Sequence, residues 1–158
     1  MKVLRKQELE TSSIQVGDQI VIQLTGFGEF TATAQKITNK GTLFLFDDCV
    51  AKRPMNGKWT NKGGYEKSDL CKWISDVLSA AFPEDLINRI DNLTIPIMVK
   101  RKNRIADFDN DYEWYWLQNA TKKEVSSSYF ALVTYRGTAT YYSASYSYGV
   151  RPVFWLVN

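Results

Sequence analysis

Histidine is absent from this 158-residue sequence, and its absence excludes several kinds of site at once. Without imidazole there is no Ser-His-Asp triad, no Cys-His nucleophile pair, no histidine metal ligand and no histidine pH switch. The glycine and serine patterns of phosphate-binding loops and nucleophile elbows are missing as well. We therefore predict that the protein is not an enzyme, that it holds no metal and that it uses no cofactor.

Long apolar runs, an apolar leader and a strong charge imbalance are also missing. No stretch of about 18 apolar residues is present to span a bilayer, and residues 1–13 lack the apolar core of a secretory signal. The 20 basic and 17 acidic residues leave a net charge of +3, which does not indicate a nucleic-acid partner. The basic run 100–104 contains no aromatic residue for base stacking, so we expect a solvated loop there. Neither a membrane nor a nucleic acid is an expected partner.

Cysteine is scarce, with only Cys49 and Cys71 in the chain. Because no secretory signal precedes them, we expect both thiols to be reduced. Helical spacing places Cys71 on the apolar face of a helix, where a free cysteine packs as a small hydrophobe. A catalytic thiol would need a basic neighbour that lowers its pKa, and the sequence indicates none.

The order of hydrophobic patterns predicts an α+β fold with antiparallel sheets. Alternating apolar and β-branched residues indicate a three-stranded meander over 19–47. A single apolar stripe then predicts one main amphipathic helix over about 69–81, with Ser68 as its N-cap. Pro83 ends that helix and begins a short second one. Further strands are predicted over 94–99, 129–135, 138–142 and 150–157, the last of them buried because it is almost wholly apolar.

Two segments are predicted to be loops. Residues 47–65 contain one proline and three glycines. Residues 107–113 carry an acidic side chain at every second position, a spacing whose oxygens could surround calcium. The calcium-loop pattern fails, because Tyr112 replaces the glycine at its sixth position and Gln118 replaces the glutamate at its twelfth. We therefore expect a solvated acidic loop.

Aromatic residues make up 14% of the chain, and eight of the nine tyrosines follow residue 111. Large rigid rings beside serine and glycine offer contact area together with adaptable hydrogen bonding, as in antibody binding surfaces. Sugar rings stack on the same residue types. Strand alternation must send some of these rings inward, and a tyrosine-rich sheet surface without a ligand is an equally weighted alternative. The candidate ligand-binding residues are Trp114, Trp116, Tyr141, Tyr142, Tyr146 and Tyr148.

Three stretches match motifs of a known family. Residues 59–90 follow a W-x-x-S-D-[IL]-R-x-W-L-N pattern, residues 114–117 a W-W-L motif, and residues 148–156 a closing Y-G-V-R-P-A-x-W-L motif, the most specific of the three. The chain from residue 14 onwards thus resembles a bacterial and phage domain family of unknown function. That resemblance implies a C-type-lectin-like fold, shared with phage tropism determinants and formylglycine-generating enzymes. The reactive cysteine pair of the latter has no counterpart after Cys71, so oxidase activity is not implied.

The resemblance completes the predicted domain organisation. A single domain spans 1–158, with a polar N-terminal extension over 1–13 and a C-type-lectin-like core over 14–158. The residues expected to be structural are Trp73, Arg151 and Trp155. The arginine is expected to form an ion pair with an acid in 107–113, and a bidentate clamp on a ligand carboxylate is the alternative.

The sequence leaves three functions open. The leading hypothesis is a non-catalytic recognition module of phage or prophage origin that binds protein or glycan through a Tyr/Trp-rich C-terminal surface. The second is a structural tail or baseplate accessory that uses this surface for self-association. The third is a small intracellular inhibitor of a host defence protein, which only the basic run 100–104 supports. Synthesis in the bacterial cytoplasm is expected, and association with the virion is left open.

Overall fold

The computed structural model of the chain describes residues 2–4, 14–97, 99 and 101–157. Within them, thirteen strands form two large sheets and one small hairpin. With one main helical segment, they make up the α+β class that the sequence predicts. Most of the predicted N-terminal extension lies outside the described residues, but Lys2–Leu4 form a strand, β1, which pairs antiparallel with the next strand.

The larger sheet has six strands in the order β1-β2-β3-β4-β13-β6. The predicted meander is confirmed as its three strands β2 to β4, and the closing strand β13 lies between β4 and β6. Gly41 permits this close pairing, because a Cβ there would collide with the Leu156 carbonyl oxygen. The remaining strands of this sheet are β2 Gln19–Leu24, β3 Gly28–Thr38, β4 Gly41–Phe46, β6 Ile90–Thr94 and β13 Val153–Val157.

The second sheet has five strands in the order β11-β10-β9-β12-β5. Its predicted hairpin is confirmed as β10 and β11, which pair antiparallel. Strand β12 pairs parallel with β9 and antiparallel with β5. The bounds are β5 Ala51–Pro54, β9 Tyr115–Ala120, β10 Tyr129–Val133, β11 Ala139–Ser143 and β12 Ser147–Val150.

Three sequence expectations about strands are corrected. The stretch 47–65 is not all loop, because the strand β5 lies inside it. The polar residues of β5 do not show the apolar alternation by which a strand is predicted from sequence. The strand expected over 94–99 lies earlier, over Ile90–Thr94, where polar residues again weaken the signal. The acidic segment forms a hairpin of β7 Ala106–Phe108 and β8 Asp111–Glu113. Both residues of its two-residue turn have positive φ, 54° and 69°, which is the geometry of a tight hairpin turn.

The main helical segment runs without interruption over 69–81, as the apolar stripe predicts. It consists of an α-helix α1 (Asp69–Trp73), a π-helical turn (Ile74–Leu78) and a 3-10 turn (Ser79–Ala81). The Ser68 hydroxyl accepts the Cys71 N–H at 3.1 Å, which confirms the predicted N-cap. After Pro83 the short helix α2 covers Glu84–Ile87. No helix within the described part of the chain has the length and apolar character needed to cross a bilayer.

The main core lies between the two sheets and the helical segment. Its buried residues come from β2, β3, β4 and β13 on one side and from β9, β10 and β12 on the other. The helical stripe contributes Leu70, Ile74 and Leu78, whereas Val77 is exposed. Trp73 is half-buried at the rim of the core, where its ring meets Phe27 edge-on at 5.8 Å between centroids.

The closing motif 148–156 does not form a single strand. Its first part belongs to β12 in the five-stranded sheet and its last part to β13 in the six-stranded sheet, so the chain changes sheets at Arg151 and Pro152. In β13, Phe154 and Leu156 are buried and Trp155 between them is half-buried on the other face. The expected buried strand is therefore confirmed only for alternate residues of Val153–Val157.

Arg151 is buried at this corner, but the ion pair predicted for it is wrong. Its Nε donates to the Phe46 carbonyl oxygen at 2.7 Å. Its Nη1 donates to the Tyr115 hydroxyl at 3.0 Å and also to the Asn103 carbonyl oxygen. No acid of 107–113 is an ion-pair partner of Arg151 among the residues that the structure describes. The guanidinium is thus held by neutral acceptors and ties β4, β9 and the turn at Asn103 together.

Candidate functional site

A continuous series of ring contacts runs across the five-stranded sheet. Trp114 stacks on Tyr148, with 5.6 Å between centroids and 15° between planes. Tyr148 meets Tyr142 edge-on at 6.1 Å. Tyr142 contacts two further tyrosines at 5.1 and 6.3 Å, and Trp114 contacts another at 6.1 Å. We call this set the ring strip, and it comprises Trp114, Tyr129, Tyr135, Tyr142, Tyr146 and Tyr148.

Strand geometry explains why residues distant in sequence meet in the ring strip. Trp114 and Trp116 are two positions apart, so their side chains leave the chain on the same face. Gly149 lies opposite Tyr115 in the parallel pairing, which sends Tyr148 to the face of the two tryptophans. The Gly149 N–H donates to the Trp114 carbonyl oxygen at 2.7 Å, and a Cβ at this glycine would collide with that oxygen and with the Cys49 sulfur. The glycine therefore permits the approach that stacks Tyr148 on Trp114.

Trp116 is a correction to the predicted binding set. It has no exposed surface, so its side chain cannot contact a ligand. Its indole N–H donates to the Arg53 carbonyl oxygen at 2.9 Å. Its ring meets Tyr148 at 5.3 Å and Phe130 at 6.3 Å, both edge-on. Trp116 thus supports the ring strip from beneath and holds Tyr148 in place.

The other candidates lie at the surface, but not all on the same face. Tyr142 and Tyr146 are 43% and 51% exposed, while Trp114 and Tyr148 are half-buried. Tyr141 is 53% exposed, but it alternates with Tyr142 and leaves β11 on the opposite face. It takes part in none of the ring contacts found among the described residues. The structure therefore brings Trp114, Tyr142, Tyr146 and Tyr148 together and separates Tyr141 from them.

Two members of the ring strip, Tyr129 and Tyr135, were missed by sequence reasoning. Tyr129 is the first residue of the predicted strand 129–135 and Tyr135 is the last. At the ends of a strand, the alternation of side chains between the two faces does not predict which of them are exposed. Tyr129 stacks on Tyr142 with 20° between planes, and Tyr135 tilts against Trp114. A signal was available for the second, because Arg136 follows it at the turn and its guanidinium lies over the Tyr135 ring at 5.8 Å.

Charges of both signs surround the Trp114 end of the ring strip. The Glu113 carboxylate accepts a hydrogen bond from the backbone N–H of Trp114 at 2.9 Å and forms a salt bridge with Lys52 at 3.0 Å. Arg53, on the neighbouring strand, has its guanidinium 4.6 Å from the Trp73 ring. No charged residue occurs in the whole stretch 137–150. The Trp114 end of the strip thus has Glu113 and Lys52 paired with each other, whereas Tyr142, Tyr146 and Tyr148 come from a stretch of sequence without charge.

The hydroxyl group of Tyr148 is kept protonated. The pKa of Tyr148 is raised, first by burial and then by the nearby Tyr142, Tyr146 and Glu113. A phenol with a raised pKa remains a hydrogen-bond donor at neutral pH. The strip thus offers ring faces together with hydroxyl groups that both donate and accept.

A separate cleft of about 660 Å³ lies between the helical segment and β6. Its floor includes Tyr65, Cys71, Thr94 and Gln118. These polar groups already bond one another, because the Gln118 amide donates to the Thr94 hydroxyl at 2.9 Å and to the Ile95 carbonyl oxygen at 2.8 Å. Burial raises the pKa of the Tyr65 phenol. Because these floor groups are already bonded to one another, the cleft is the weaker candidate.

Neither cysteine is arranged for nucleophilic chemistry. Both are free, and Cys49 is buried. Burial is the largest influence on the Cys49 thiol and raises its pKa well above the usual range, which keeps it protonated. Over the described ranges, no group of three or more cysteine, aspartate or glutamate side chains has a metal-binding arrangement.

Comparisons with protein-family models, with curated proteins and with solved structures each found no match. The family resemblance therefore depends on the motif residues alone. The α+β class depends on the strands and helices themselves.

Proposed function

We propose that this protein is a non-catalytic recognition module of phage or prophage origin that binds protein or glycan through the ring strip. The observation that carries the proposal is the unbroken series of partly exposed ring contacts from Tyr135 through Trp114 and Tyr148 to Tyr142. Exposed rings of monomeric proteins are usually scattered, whereas a contiguous patch marks a contact surface.

The strip combines rigidity with polar atoms, which supports a binding role. Stacking on Trp114 and edge-on contacts with Tyr142 and Trp116 leave the Tyr148 ring little freedom to lose when a ligand arrives. Tyrosine and tryptophan also supply most of the energetically dominant contacts in protein interfaces. The phenol groups of Tyr142, Tyr146 and Tyr148 add hydrogen bonding that suits either backbone amides or sugar hydroxyls.

A C-type-lectin-like architecture is the finer part of the proposal. Its support is the closing motif, which passes from β12 beside the ring strip into β13 at the centre of the other sheet. In this arrangement the most specific motif residues join the proposed binding face to the core. Arg151 lies at the junction, where its guanidinium donates hydrogen bonds to a residue of each sheet.

Binding screens with matched tryptophan variants test the proposed function. The folded chain is screened against a glycan array, a displayed peptide library and intact bacterial cells. For any ligand found, we expect Trp114→Ala to weaken binding about tenfold or more, because it removes a central ring of the strip. Trp59→Ala is the control, since Trp59 is 71% exposed and lies outside the strip.

Two results would contradict this function. One is the absence of any ligand in all three screens. The other is an equal loss of binding in the Trp59 and Trp114 variants, which would show that the strip has no special role. Tyr146→Ala gives a second test that leaves the buried core untouched, because the Tyr146 side chain is half exposed and its ring contact is with Tyr142.

A further inference from the structure

The two edges of the five-stranded sheet are built in opposite ways. Edge strand β5 carries Lys52, Arg53 and Pro54, which are the residue types that natural proteins place on edges to prevent further pairing. Edge strand β11 has the sequence Ala-Thr-Tyr-Tyr-Ser, with no charge and no proline. Only its short length limits pairing with another strand.

The edges of the other sheets resemble β5 and not β11. Strand β1 is three residues long and includes Lys2. Strand β6 contains Asp91 and has Asn92 with a φ of 52°, beside an irregularity in its pairing with β13. The small hairpin carries acidic residues on both of its strands. Among the described edge strands, only β11 has no charged residue, no proline and no irregularity in its pairing.

The hydrogen-bond pattern shows which backbone groups of β11 point outward. On either side of the ladder, the Thr134 N–H donates to the Thr138 carbonyl oxygen and the Ala144 N–H donates to the Ser128 carbonyl oxygen, both at 2.8 Å. In an antiparallel pair the hydrogen-bonded positions alternate. Even-numbered residues of β11 therefore bond to β10, and the N–H and C=O groups of the odd-numbered residues face away from it.

These outward groups belong to Ala139, Tyr141 and Ser143. The Ser143 carbonyl oxygen accepts the Tyr146 N–H at 3.2 Å in the following turn. The backbone groups of Ala139 and Tyr141 have no partner among the described residues. Tyr141, which the ring strip excludes, thus lies at the middle of an open edge.

We propose that a second copy of this chain pairs antiparallel with β11, about a twofold axis at Tyr141. In that register Tyr141 lies opposite Tyr141 of the second copy, and Ala139 lies opposite Ser143 of the second copy. Ala139 and Tyr141 have outward backbone groups without a partner, whereas the Ser143 carbonyl oxygen is already bonded in its own turn, so the pairing forms about four hydrogen bonds across the interface. An isologous contact of this kind closes on itself and yields a dimer.

The occupant is a second copy because the edge is complementary to itself. Residues 137–150 carry no charge, so twofold pairing brings no like charges together. The aromatic pair at Tyr141 falls on the axis, and cross-strand aromatic pairs stabilise sheets. The axis is perpendicular to the sheet, so both ring strips lie on the same face of one ten-stranded sheet. The inference itself does not depend on the strip binding a ligand.

Light scattering after size exclusion, over a wide range of protein concentration, tests the dimer. We expect the mass to approach twice 18.2 kDa as concentration rises. Tyr141→Lys and Tyr141→Glu should each be monomeric, because two like charges then meet on the axis. Mixing these two variants should restore a heterodimer, since lysine then faces glutamate. Arg53→Glu, on the opposite edge of the same sheet, is the control and should leave the wild-type mass unchanged.

Each other outcome overturns the inference. A wild-type mass of 18.2 kDa at every concentration means that no copy adds to the edge. Dimers that survive both charged substitutions, or charged variants that fail to recombine, place the contact elsewhere. Circular dichroism of each variant confirms that a monomeric result reflects lost pairing and not unfolding. A lost dimer does not by itself affect the proposed ligand binding, which the screens measure separately.

Discussion

Two groups of rings in this protein share a contact geometry and differ in composition. In the core, Phe44, Phe46, Phe82 and Phe154 meet with 5.6 to 6.1 Å between centroids. In the ring strip, the spacing is 5.1 to 6.3 Å. The phenylalanines are all buried, whereas the tyrosines and tryptophan of the strip keep part of their surface in water.

Ring contact alone therefore does not distinguish a core from a binding surface. A phenylalanine ring has no polar atom, so complete burial costs it no hydrogen bond. A tyrosine or tryptophan buried without a partner loses one, and the buried Trp116 keeps its hydrogen bond because the Arg53 carbonyl oxygen accepts its indole N–H. The polar atoms thus keep the strip at the surface while the phenylalanines fill the interior.

The largest expected effect comes from removing a ring of the core group. Phe154→Ala should lower the free energy of unfolding by about 3–5 kcal/mol, because it empties a fully buried site between three other phenylalanines. Tyr146→Ala, the matched change in the strip, should alter it by no more than about 0.5 kcal/mol. Denaturant unfolding of both variants measures the contrast, and similar losses would remove the distinction between the two groups.

A somewhat smaller effect is expected at the corner that joins the two regions. Arg151→Ala leaves the Phe46 and Asn103 carbonyl oxygens without their buried donor, and should destabilise the fold by about 3 kcal/mol. Thermal unfolding measures this loss, with Arg151→Lys as a variant that retains the charge. An unchanged melting temperature together with lost ligand binding would instead identify the arginine as a ligand clamp.

The smallest effect is expected from the pH response of the strip. The folded-state pKa of Tyr148 lies above its usual value of 10.0, so its contribution to stability is complete below that pH. The contribution is lost as the pH rises through the folded-state pKa. Tyr148→Phe removes this ionisable group and should flatten that part of the alkaline stability profile. Spectroscopic titration checks the assignment, and a Tyr148 pKa at or below the usual value would contradict it.

The sequence predicted those elements that have a strong pattern of their own. The meander, the helical segment over 69–81 and the hairpin of β10 and β11 all have a clear apolar period or a glycine turn. The strands β5 and β6 were missed because they are short and largely polar, and pairing with neighbours stabilises them. Edge strands contribute few apolar residues, so their own sequence signal is weak.

The candidate site was predicted in part. The richness in tyrosine indicated the segment in which the ring strip lies, but composition does not tell which ring lies inside. Trp114 and Trp116 are two residues apart in one motif and share a face, yet one is half-buried and the other fully buried. The difference arises because β9 lies in the middle of the sheet and Trp114 precedes its first residue. Sheet order is a tertiary property that neither spacing nor propensity contains.

By itself, the sequence determined the absence of histidine chemistry, the alternation of β-strands, the main helical segment and the uncharged stretch 137–150. These follow from local composition and from the period of side chains along the chain. Only the tertiary structure decided that Arg151 is held by carbonyl oxygens and that Tyr141 leaves the strip for an open edge. Such outcomes depend on which strands become neighbours, and that is settled by packing between residues far apart in the chain.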